Sequence, residues 1–129
     1  ASLSAYPWDD AMPAVGEARS RSCGSSLALG VETGADGTIA RIAVRARACA
    51  IGQAAAAIFA GSARGRTLDR IRADEEHIVD WLAGSGAMPA DIPGLAVIAP
   101  ARDYPARHGA ILLAWTAARE LLPSDAASR

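Results

Sequence analysis

The chain has 129 residues, a formal net charge of −1 and no apolar run of membrane-spanning length, so the composition describes one globular domain without a transmembrane segment. Its near-neutral balance removes any broad electrostatic case for binding nucleic acid or an anionic membrane surface. Every basic residue other than histidine is Arg, and there is neither Lys nor Asn, which excludes a lysine Schiff base and an N-glycosylation sequon.

Half of the residues are apolar (51%), but with one Phe, two Tyr and three Trp the core must be built from Leu, Ile, Val and closely packed Ala. The first residues, "ASLSAYPWDD", are acidic rather than basic, so no signal peptide is expected. With two cysteines, this favours reduced thiols and a cytoplasmic location.

In chain order, "LSAYPWDDAM" predicts a short helix interrupted by Pro7, and "PAVGEARSRS" a first strand. Leu27, Leu29 and Val31 alternate in "SSLALGVE", a second strand. "TGADG" is a turn signal, and "TIARIAVRAR" returns as a third strand, with Ile39 opposite Arg41 and with Ile42 and Val44 on one face. "AIGQAAAAIFA" is rich in the best helix former, with Gly61 as its expected stop. Thr67 is placed to cap "LDRIRADEEHIVDWLAG", whose apolar side is Leu68, Ile71, Ile78, Trp81 and Leu82, with Gly84 at its end. "GSGAMPADIPG" reads as loop, and "LAVIA" has no decisive period. Ile111, Trp115, Ala118 and Leu122 recur at helical spacing in a final helix, and residues 123–129 read as a frayed tail. Strands followed by helices in one chain of this size predict an α+β fold over 1–129, with its core at about 15–122.

Two local patterns suggest chemistry weakly. "GSARGRT" has the wrong glycine spacing for a phosphate loop, lacks its lysine and follows a helix. "ADEEHIVD" gathers Asp74, Glu75, Glu76, His77 and Asp80, which reads better as a solvated helix face than as a metal site. The cysteines carry more. Cys23 precedes one hairpin strand and Cys49 follows the other, so antiparallel pairing makes them spatial neighbours. Cys49 also opens a helix, where free N–H groups favour thiolate character. Two thiolates do not complete a zinc or cluster shell. By motif logic Ser25 and His108 are the nearest further donors.

The segments "AVGEA", "SCGSSLAL", "VRARACAIGQAAAA" and "YPARHGAILLAW" resemble the IscU/NifU/SufU type of iron–sulfur cluster assembly scaffold, from about Val15 to Leu122. The resemblance implies a three-stranded antiparallel sheet with helices packed on one face. It also implies a non-enzymatic scaffold that binds zinc, iron or a nascent iron–sulfur cluster. Its partners would be a cysteine desulfurase and acceptor apoproteins, and a homodimer would let two chains share a cluster. Cys23 and Cys49 match the first two family cysteines, and Arg107, Leu113, Ala114 and Trp115 match the last segment. Ser25 stands where the family has Asp, Ala110 where it has the third cysteine, and Ala46 and Ala48 where it has glycines. Gly109 holds the position of the histidine in IscU-type members, and His108 lies one residue earlier. The third cysteine is the one generally held to receive persulfide sulfur. Its loss leaves three readings: a variant two-cysteine scaffold, a SufE-like sulfur acceptor using Cys49, or a non-metal-binding paralogue that serves as an interaction module.

Overall fold

The computed structural model of the chain describes residues 3–21 and 24–121. After a short 3₁₀ turn, Leu3–Ala5, three strands follow: β1 (Ala14–Arg19), β2 (Ser26–Thr33) and β3 (Ile39–Arg47). They form one antiparallel sheet in the order β1-β2-β3. Three helices come next, α1 (Ala50–Ala63), α2 (Leu68–Leu82) and α3 (His108–Arg119). A long 3₁₀ segment, Pro93–Asp103, and a short one, Pro105–Arg107, lead into α3. The α+β architecture expected from the element order is the one found.

The register explains why alternation was legible. Leu27, Leu29 and Val31 pair across to Ala46, Val44 and Ile42, and this row of side chains points into the helical layer. Ile39 and Ile42 are three apart, so a regular strand would send them to opposite faces. A register shift at Glu32/Thr33 absorbs one residue, and both become buried. α3 lies against β1 and β2, while α1 lies against β3. The approach at β1 is close: a side chain at Gly16 would place its first carbon 2.2 Å from the Ala117 carbonyl oxygen. Only a residue without a Cβ lets the helix backbone rest there. Phe59 of α1 meets Trp115 of α3 edge-on, with ring centroids 5.2 Å apart. Around this pair alanines at 55, 56, 60, 114, 117 and 118 are buried, so helix backbones approach closely and few large side chains are needed.

The opposite face of the sheet is partly covered by the N-terminal segment. The Tyr6 carbonyl accepts from the Val44 N–H on the free edge of β3 (3.0 Å), and Met12 lies over Gly30. Arg41 clamps this segment through Asp9 at 2.7 Å and also holds Glu32 at 2.8 Å. The Ala11 N–H and then Arg41 hold the Asp9 carboxyl below its ordinary range. Its small stabilising contribution is therefore present above the ordinary aspartate pKa and is lost as pH falls through the lowered one.

Helix boundaries differ from the sequence reading at one end. α1 runs past Gly61, because that position is open and alanine-rich sequence continues on both sides. The chain turns instead at Gly65, at φ +86°, where its N–H donates to the Ile39 carbonyl. Thr67 caps α2 as expected: its hydroxyl oxygen accepts from the Arg70 N–H at 3.1 Å. Thr67→Ala should lower the unfolding free energy by about 1 kcal/mol, read as a lower denaturant midpoint at unchanged slope. Gly84 follows α2 at φ +86°, as anticipated. The "LAVIA" stretch becomes part of the 3₁₀ segment, burying Leu95 and Ile98 and exposing Val97. Leu122 and the expected tail at 123–129 lie outside the described residues.

Candidate thiol site

The site is built where three chain segments end together. β3 stops at Arg47, Ala48 follows, and Cys49 is the N-cap of α1 with extended backbone (φ −66°, ψ 174°). An N-cap side chain often bonds back to the helix, but that of Cys49 makes no such bond. Its thiol is free and exposed at the helix start. The helix is tied in by its backbone instead, with the Gln53 N–H donating to the Cys49 carbonyl at 2.9 Å.

The second segment is the β1–β2 turn. The Ser20 N–H donates to the Ser25 carbonyl (2.8 Å), and the Gly24 N–H donates to the Ser20 carbonyl (3.1 Å). Because Arg19 pairs with Ser26 and Ser26 with Arg47, this turn lies beside the chain that leads to Cys49. The hairpin argument thus brings the correct strand ends together, while Cys23 itself is outside the described residues. Ser25 is buried.

The third segment is the start of α3. Ala110 is 1% exposed. A side chain at Gly52, three residues beyond Cys49, would place its first carbon 2.8 Å from the Ala48 methyl, which is too close, and 3.5 Å from the Ala110 methyl, an ordinary contact. The first turns of α1 and α3 therefore rest on each other through Gly52. What requires a glycine there is Ala48, the residue before the helix cap, and a glycine inside an alanine run is the sign of it in the sequence.

His108 opens α3, and its Nε2 lies 2.7 Å from the Arg102 carbonyl oxygen. A carbonyl only accepts, so Nε2 carries the proton there, and Nδ1 is the ring nitrogen left to face another group. Ala46 and Ala48, where the resemblance implies glycines, are accommodated simply. Ala46 pairs with Leu27 inside β3, and no described residue other than glycine has positive φ. Among the described residues no three His, Cys, Asp or Glu side chains are grouped so as to hold a metal ion.

The acidic stretch of α2 needs a correction. Glu76, His77 and Asp80 are exposed, as a solvated face requires, but Asp74 and Glu75 are buried at 2% and 5%. Asp74 receives Arg66 (2.5 Å) and Arg70 (3.2 Å), and these arginines also hold Asp91. Glu75 receives Arg119 at 2.9 Å and the Thr116 hydroxyl at 3.3 Å. These carboxylates join α2 to its neighbours. Arg66, from the glycine-rich stretch with a phosphate-loop look, is one of their partners.

No protein-family model and no curated protein sequence matches the chain. Solved structures do. The N-terminal part of a nitrogen-fixing NifU-like protein from Brucella abortus is 31% identical, with a TM-score of 0.76 over 84% of this chain and 75% of that one. A protein from thermophilic Fervidobacterium islandicum, assigned as an iron–sulfur cluster assembly scaffold for the SUF system, is 19% identical, with a TM-score of 0.79 over 92% of this chain and 86% of that one. At that identity the second likeness concerns the fold alone.

Proposed function

Because this chain belongs to the NifU-like family of iron–sulfur cluster assembly scaffolds, we propose that it takes up iron or a nascent cluster as cargo through Cys23 and Cys49. The observation that carries this reading is the free, exposed thiol of Cys49 at the start of α1, two residues beyond Arg47, which pairs with Ser26 as Ser26 pairs with Arg19; Cys23 falls between Arg19 and Ser26 in the sequence. Two thiols per chain suit a cluster shared between two chains, since four thiolates satisfy a two-iron cluster. Ala110 offers no ligand, and the hydroxyl of Ser25 is a poor one because it stays protonated near neutral pH. His108 enters only through Nδ1. Zinc fits the same thiol pair with the same shortage of donors. The protein acts as a carrier rather than an enzyme, with a cysteine desulfurase upstream and acceptor apoproteins downstream, in the cytoplasm. No helix among the described residues is long and apolar enough to cross a membrane.

A second reading is favoured by the contrast between exposed Cys49 and buried Ala110. If sulfur arrives as a persulfide, Cys49 is the residue open to receive it. Its thiolate would attack the outer sulfur of the desulfurase persulfide, forming a new S–S bond as the desulfurase thiolate leaves. Cys23 could then attack the inner sulfur, releasing sulfide and leaving a Cys23–Cys49 disulfide for a dithiol reductant to open.

The test is anaerobic reconstitution with ferrous iron and sulfide, for the parent protein and Cys49→Ser. The scaffold reading expects a visible charge-transfer chromophore on a dimer, absent in the variant. A chromophore on a monomer would sink the shared-cluster form. No chromophore and no bound zinc, with a Cys49 persulfide detected by mass after incubation with a desulfurase, would favour the sulfur acceptor. Neither product would leave only the interaction module.

A further inference from the structure

The sheet face turned away from the helices carries a basic concavity. The side chains of Glu17, Ala28 and Arg45 form one row across the three strands, and Arg19, Ser26 and Arg47 form the next. The central strand supplies only alanine and serine there while the flanking strands supply long side chains. The result is a trough of about 200 Å³ with Glu17, Arg19, Arg45 and Arg47 on its walls. Three guanidinium groups face one carboxylate.

Among the described residues, none of these three arginines makes an ion pair, although Arg41, Arg66, Arg70 and Arg119 all do. Arg45 is held over the Trp8 ring, 4.4 Å from its centroid. That cation–π contact holds the guanidinium in place without using a carboxylate partner. Arg19 and Arg47 are two strands apart, about 10 Å, and Arg45 and Arg47 are two residues apart along β3, about 7 Å. This spread exceeds the reach of one small anion and suits separate carboxylates on an extended chain. The net charge of −1 makes the cluster a local feature and not part of a general basic surface. The Arg19–Ser26–Arg47 row is also the end of the sheet next to the 20–25 turn and Cys49.

We propose that this trough docks an acidic segment of a partner protein, at least two of whose carboxylates are taken by Arg19, Arg45 and Arg47. Guanidinium–carboxylate pairs of this kind are directional and often bidentate. The docking requires neither metal nor sulfur, so it stands or falls apart from the thiol chemistry.

The test titrates the full chain into a fluorescently labelled octa-glutamate peptide and reads anisotropy at about 50 mM and about 150 mM salt. Binding that weakens with salt is expected. Arg19→Glu and Arg47→Glu should each weaken it by about tenfold, the loss of one charge-assisted contact. Arg72→Glu makes the same charge change on an exposed position of α2 and should alter it by less than about twofold. Should either charge reversal fail to fold by circular dichroism, Arg19→Gln and Arg47→Gln carry the same comparison. No binding to the parent protein, or an equal loss in Arg72→Glu, would overturn the proposal. Displacement by inorganic phosphate at matched ionic strength would make the trough a small-anion site instead. Equally tight binding of an oligodeoxythymidine would make it a general polyanion surface.

Discussion

Asp74→Ala should lower the unfolding free energy by about 3 kcal/mol, although it lies in a stretch that reads as a polar helix face. The carboxylate is almost fully buried, and its two oxygens are taken by Arg66 and Arg70. Arg66 is itself only 17% exposed in its side chain. Removing Asp74 leaves that guanidinium largely desolvated with only Asp91, its carboxylate at 3.7 Å and its backbone carbonyl at 2.7 Å. A desolvated charge that loses its nearest counter-ion costs more than the pair contributes when intact, so the loss exceeds that of an ordinary surface ion pair. Glu76→Ala, two positions on but exposed, should change stability by no more than about 0.5 kcal/mol. Urea unfolding of both variants, compared at equal slope, checks the contrast. Equal, small effects would mean that Asp74 is hydrated in solution and that α2 is not pinned through it.

The reason Asp74 escaped the sequence reading is general to the molecule. Features set by neighbours in the chain were legible. Alternation at Leu27, Leu29 and Val31 marked a half-buried strand, and antiparallel return then placed the ends near Cys23 and Cys49 together without any tertiary information. Thr67 announced its helix because capping is local. Burial of Asp74 and Glu75 depends on Arg66, Arg119 and Thr116, brought in by the turn before α2 and by α3. Helical periodicity alone says nothing of them. Gly61 failed as a stop for a similar reason: a glycine can continue a helix where packing permits, and the turn fell at Gly65, whose N–H finds the Ile39 carbonyl of β3. At the site, the position of Ala110 was legible only through the family resemblance. What the fold adds is that Ala110 lies next to Gly52 in the first turn of α1. The bond from His108 to Arg102 has no signature in the sequence, because it depends on the path of the 3₁₀ segment that returns to α3.

Adding a thiol at position 110 should strengthen metal binding by a large factor. Ala110→Cys places a thiol at the first turn of α3, against the first turn of α1 that Cys49 caps. If Cys23 and Cys49 form the metal-binding pair, the variant has three thiolates in one chain, the number at which a tetrahedral zinc site needs only one further donor. Partners that merely orient metal ligands are worth about ten- to a hundredfold in affinity. A direct thiolate ligand should therefore tighten zinc binding by at least about a hundredfold, measured by chelator competition. The added volume opposes this, since overpacking a buried position costs about 1–3 kcal/mol. Ala110→Ser controls for the added volume: it enlarges the side chain without supplying a thiolate and should leave zinc affinity unchanged. The stoichiometry of reconstituted cluster gives a second readout, expected to move from one cluster per two chains toward one per chain. Zinc binding no tighter in Ala110→Cys than in Ala110→Ser, with both variants folded, would mean that the thiol pair does not converge on position 110. The chain would then have kept the scaffold fold while its two cysteines serve another chemistry, and the persulfide route through Cys49 would become the leading account of the site.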